Sequence, residues 1–222
     1  MSAKSVCGIG YHQGHEFLQA LEKAGLTSEL AQEVISAKGN RKAVAMMAAL
    51  EGVAPQDDHF QLTTTFDITV PDDYDHFTRL DTFRMEHKKE FYYYNDAITD
   101  ANFGHPSMKL SPGLKFKVKV FQITERVTSD DCLKFLKSQK GNCLLGAQGA
   151  SLIYEQKKAE LPKSHWYASF DEKDNLWEDA GGCHRVPCVC AHSDGDFDFN
   201  LGLFECPWFS ACCLLCFCDE NE

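Results

Sequence analysis

The sequence predicts an α+β protein: a small N-terminal three-helix module, then a mostly antiparallel sheet with two inserted helices. Three observations carry this. Apolar residues in 1–52 recur at helical spacing, and from Gln61 onward the period falls to two. The later helical stretches follow one another without the regular strand–helix alternation of a parallel sheet. The expected division is a helical module over 1–52, a linker over 53–60 and an α+β domain over 61–222.

Phe17, Leu18, Leu21 and Ala24 share one helical face, and Gly25 stops the run. Thr27 or Ser28 can cap a second helix that carries Leu30, Val34 and Ile35. Gly39 and Asn40 break it, and a third helix presents Val44, Met47 and Leu50 before Gly52. Helices two and three resemble a helix-turn-helix unit. Beyond Arg41 and Lys42, however, the third offers no polar group to read a base edge, so packing or protein contact is the expected role. Pro55, Asp57 and Asp58 mark the linker.

Gln61–Val70 alternates as a strand, ended by Pro71, Asp72 and Asp73. Asp75–Met85 admits a helix, Phe91–Tyr94 reads as a strand, and the glycines and prolines of Asn102–Gly113 read as a loop. Leu114–Ile123 is the clearest strand, with Phe116, Val118 and Val120 facing away from Lys115, Lys117 and Lys119. Thr128 with Asp131 is a capping-box pattern, and Cys132, Phe135 and Leu136 form the buried side of the helix that follows. A second helix runs over Ala147–Leu161 and stops at Pro162. Strands at His165–Phe170, Arg185–His192, Asp196–Phe204 and Cys212–Cys218 close the chain.

Of 222 residues, 44 % are hydrophobic and 25 % charged, which excludes a disordered or collagen-like chain. The longest apolar stretches, Ala43–Leu50 and Ala211–Cys218, are far short of a bilayer span, so no membrane association is expected. The net charge is −11, and all of the acidic excess falls after residue 52. Such a surface repels phosphate backbones, so nucleic acid is not an expected partner. Met1-Ser2-Ala3-Lys4 lacks a secretory apolar core, and the eleven cysteines are odd in number. Free thiols in a reducing cytoplasm are therefore expected.

Eight of the eleven cysteines lie between Cys183 and Cys218. With the neighbouring histidines they supply a candidate zinc-ligand set: Cys183, His184, Cys188, Cys190, His192, Cys213 and Cys216. Against zinc, a knuckle needs a tight turn after its first ligand, and Leu214-Leu215 fills that place. Period two puts Cys212, Leu214, Cys216 and Cys218 on one strand face and Cys213, Leu215 and Phe217 on the other. Free cysteine packs as a small apolar residue, so core filling is the favoured reading. Cys183 and His184 point to opposite faces if extended, which disfavours a nucleophile–base pair there. His165 or His192 is the alternative base.

Other motifs are weaker. Asp194–Glu205 has the acidic spacing of a calcium loop, but Phe199 stands where that loop needs glycine, so Asp194-Gly195 reads as a hairpin turn. Gly8-Ile9-Gly10 has no preceding strand, which a dinucleotide loop requires. Gly146-Ala-Gln-Gly149 before a helix suits either an anion or close packing against the sheet, and packing is favoured.

The blocks Gly146–Leu152, Trp166–Lys173, His184–Pro187, Ser193–Asp196 and Cys213–Asp219, with Gly25–Val34 near the start, together resemble a set of small bacterial proteins. That set has no assigned activity, so the resemblance implies no cofactor and no catalytic residue. Its pattern does not call for thiols at Cys188 and Cys190, which weighs against zinc at those two. The expected function is that of a non-catalytic cytoplasmic interaction or regulatory protein, docking a protein partner through the N-terminal helices at Phe17, Met46 and Met47. The alternative is a zinc- or thiol-dependent enzyme using the cysteine-rich C-terminal segment.

Overall fold

The lysine-alternating stretch that stands out in the sequence forms strand β3, Lys115–Ile123, at the centre of one half of a sheet. The computed structural model describes residues 59–219. Along them run β1 (Phe60–Thr69), α1 (Arg79–His87), β2 (Tyr93–Tyr94), α2 (Asp100–Phe103), β3, α3 (Ser129–Ser138), β4 (Asn142–Cys143) and α4 (Gly146–Lys157). Then follow β5 (His165–Ala168), β6 (Trp177–Glu178), β7 (His184–Ala191), β8 (Phe197–Leu203) and β9 (Cys212–Asp219). All nine strands belong to one sheet, ordered β1-β3-β9-β5-β7-β8-β2, with β4 on β9 and β6 on β7.

Strand β9 is the pivot. One edge pairs antiparallel with β3, Cys216 opposite Lys119 and Cys218 opposite Lys117. The other edge is shared: Cys212–Leu214 pair parallel with β5, and Phe217 and Cys218 pair antiparallel with β4. Both faces of β9 are covered, which is why Cys-Cys-Leu-Leu-Cys-Phe-Cys reads as an unbroken apolar run. On one side Cys213, Leu215 and Phe217 join Phe116, Val118, Tyr167 and Phe199 under Leu80 and Phe83 of α1 and Leu152, Ile153 and Tyr154 of α4. On the other side Cys212, Leu214, Cys216 and Cys218 join Cys188, Cys190, Phe121 and Trp208 under Cys132, Phe135 and Leu136 of α3.

The helices form for local reasons. The Thr128 hydroxyl accepts the Asp131 amide of α3 while the Asp131 carboxylate accepts the Thr128 amide, a closed capping box. Helix α4 starts from Gly146 at φ +51, a left-handed conformation that suits glycine. Its Gly149 lies so close to the sheet that a Cβ there would stand 2.7 Å from the Phe217 ring. The glycines at this helix start serve close packing.

The chain is α+β, but its expected arrangement is corrected. The three-helix module over 1–52 and most of the 53–60 linker lie outside the described residues. The sheet is mixed, because β5 runs parallel to β9 and β2 parallel to β8. Strand direction leaves no mark on the period of a strand buried on both faces, so the sequence could not report it. There are four α-helices among the described residues, where two inserted helices were expected and a third was admitted at Asp75–Met85, the place of α1. Helix α2 is a single turn capped by Thr99 with only Phe103 buried, too short for a periodic signal. No helix among the described residues is long and apolar enough to cross a membrane.

Candidate functional site: a thiol pair on strand β9

Extended backbone sends Cys216 and Cys218 to the same face of β9, two residues apart. Their sulfurs stand 3.7 Å from each other, and Cys216 Sγ lies 3.2 Å from Oδ1 of Asn142, which β4 brings alongside. Cys216 is fully buried and Cys218 is 7 % exposed, at the end of the α3-covered layer. From β3 comes the half-buried Lys119, directly opposite Cys216. Three strands distant in sequence therefore converge on one pair of thiols.

The electrostatics separate the two sulfurs. A hydrogen bond from Cys216, helped by the Lys119 ammonium, holds the Cys218 thiol below the ordinary thiol range. Cys216 is displaced upward, first as the donor to Cys218 and then by burial. Thiolate, not thiol, is the nucleophile, so Cys218 is the reactive member and Cys216 the protonated neighbour. Four other sheet thiols go the opposite way. Burial raises Cys188, Cys190 and Cys212, and pushes Cys213 up to about 12.

The seven residues singled out as zinc ligands are placed as follows. Cys183 is half-buried in the turn before β7, its amide donating to Asp179 Oδ1 at 3.1 Å. The His184 ring is engaged by Glu205, Nδ1 to Oε1 at 2.8 Å. Cys188 and Cys190 lie in the α3-covered layer with Cys216, and Cys213 lies in the opposite layer. His192, just past β7, stands 3.0 Å from Asp198 Oδ2. Among the described residues, three metal-ligating atoms come within 4.8 Å of one another only at Glu86, His87 and Glu155. The sequence-chosen set is thus not brought together, while Cys218, placed on the Cys216 face but outside that set, is the thiol that stands apart.

Asp171 enters the sequence reading only inside the Trp166–Lys173 block, with no role attached. Buried beside the start of α4, it accepts the Ser107 amide at 3.1 Å and the Glu172 amide at 2.7 Å, and it also accepts the Ser107 hydroxyl. Burial still holds its carboxyl above the ordinary carboxylate range. No local motif announces it, since its Ser107 partner arrives from a distant loop. The calcium-like segment is a hairpin, with Gly195 at φ +105 between β7 and β8 and Phe197, Phe199 and Leu201 buried. Comparison of the chain with family models, curated proteins and solved structures gave no match.

Proposed function

We propose that this chain is a thiol-responsive regulatory protein of the reducing cytoplasm, with Cys216 and Cys218 as its responsive element. The observation that carries the reading is the 3.7 Å sulfur pair opposite Lys119, in which one thiol is held down and its neighbour up. The chemistry is exchange with a small disulfide. The Cys218 thiolate attacks one sulfur of the disulfide, forming a mixed disulfide and releasing one thiolate. Cys216 then attacks Cys218 Sγ, closing a Cys216–Cys218 bond, and its proton leaves with the departing sulfur as the second thiol. Two protein thiols are oxidised by two electrons and the small disulfide is reduced to two thiols.

Residues two apart on a strand have Cα atoms roughly 6.4–6.8 Å apart, at the long end of what a disulfide spans. A bridge there is strained, forms only under oxidising conditions and is easily reduced, as a reversible response requires. In this reading the regulated partner is a protein met through Phe17, Met46 and Met47, apolar positions of the N-terminal sequence.

The test is equilibration of the reduced chain with graded mixtures of reduced and oxidised glutathione, an alkylating quench and peptide mapping. The expected result is that Cys216 and Cys218 are lost from the alkylated pool together and return on reduction, and that Cys218→Ser abolishes the bridge. Both thiols staying reduced while the exposed Cys206 takes up glutathione would refute the reading.

A further inference from the structure

The geometry points to a binding site for a divalent first-row transition cation, built by Glu86 and His87 at the end of α1 and Glu155 on α4. It lies on the face of the sheet opposite the thiol pair and does not depend on it. His87 Nε2 stands 3.4 Å from Glu155 Oε1 and 3.9 Å from Glu86 Oε2. The three residues bring their ligand atoms within 4.8 Å of one another. Two ligands of one tetrahedral ion, each at ~2.1 Å, stand roughly 3.4 Å apart, so these gaps match the edge of a coordination polyhedron. One imidazole and two carboxylates suit zinc, manganese or ferrous iron better than a thiol-seeking ion.

The surroundings orient these ligands as a metal site requires. His87 Nδ1 is 3.0 Å from Glu90 Oε1, which leaves Nε2 for the ion, the usual imidazole–carboxylate arrangement behind a metal. Glu90 is itself fixed by the Tyr154 hydroxyl at 3.1 Å and Lys158 Nζ at 2.5 Å. Glu155 divides its oxygens: Arg79 Nη2 holds Oε2 at 2.8 Å, and Oε1 faces His87. Arg79 is 8 % exposed, anchored on Ser151 Oγ at 3.1 Å and stacked against Tyr74 and Phe83, so this support is rigid.

A second observation points to a ligand at the same place. Glu86 and Glu155 open onto a cavity of about 240 Å³, also lined by Asp73, Asp75, Thr78 and Tyr74. Tyr74 is 8 % exposed, and its hydroxyl is buried without a hydrogen-bond partner among the described residues. The cavity gives room for water or a small oxygen ligand at the open coordination positions that three protein ligands leave. Asp73, Asp75, Glu86 and Glu155 outnumber Arg79 at its wall, which favours a cationic occupant.

Manganese is the probe of choice, because the chain's many thiols compete poorly for it. The reduced chain is titrated with Mn²⁺ and the free ion followed by electron paramagnetic resonance. One equivalent is expected to bind. Affinity should fall roughly tenfold or more in Glu86→Gln, an exposed position whose change leaves packing untouched, and in Glu90→Gln, which frees the imidazole. His87→Ala should abolish binding, and a Cys216→Ser, Cys218→Ser double variant should bind as the parent does. Absence of a stoichiometric site, binding indifferent to Glu86→Gln and His87→Ala, or binding lost with the cysteines would each overturn the assignment.

Discussion

Lys119 stands opposite Cys216, and its ammonium is the positive charge that helps hold the Cys218 thiolate. Removing that charge with Lys119→Met is expected to raise the Cys218 midpoint toward the ordinary thiol value of about 8.5. The pH dependence of thiolate ultraviolet absorbance checks this, and an unmoved midpoint would leave Lys119 without a role. Asp171 presents the opposite case. Its folded-state carboxyl is raised by burial, so its stabilising contribution is present below the ordinary carboxylate range and lost as pH rises through the folded value. The stability of the parent relative to Asp171→Asn should therefore decline as pH rises above about 4, the ordinary carboxylate value. Urea denaturation of both proteins across that range measures it, and a constant difference would contradict the assignment.

Among the elements, α3 and α4 show how sequence signals become stability. Thr128→Ala opens the capping box of α3 and should cost about 1 kcal/mol. Gly149→Ala should destabilise by roughly 1–3 kcal/mol, because the new methyl would stand within 2.8 Å of both the Phe217 ring and the Leu145 Cβ. Thermal unfolding reads both, and a neutral Gly149→Ala would mean that α4 can shift away from β9. The elements also set how much was legible. The Thr128 capping box, the lysine alternation of β3 and the two faces of β9 all rest on neighbours in the chain, and all are visible in the sequence. The two-residue strands β4 and β6 carry no period of their own and are defined only by their partners β9 and β7.

For the whole molecule, the sheet is a partition. It buries aromatic residues with α1 and α4 on one side, and most of the sheet cysteines with α3 on the other. Period two placed Cys216 and Cys218 together, but it did not distinguish them from Cys212 or Cys188. That distinction comes from Lys119 on β3 and Asn142 on β4, whose meeting with β9 depends on the topology of the sheet. The Glu86, His87 and Glu155 cluster was hidden for the same reason, since α1 and α4 meet only in the folded chain. The most direct measurement is the alkylation rate of every cysteine in the native chain, resolved by peptide and by pH. Cys218 is expected to react with a midpoint below the ordinary thiol value, while Cys188, Cys190, Cys212 and Cys213 stay protected until the chain is unfolded. A Cys218 as inert as Cys190, or one that titrates with ordinary thiols, would contradict the thiol-responsive reading.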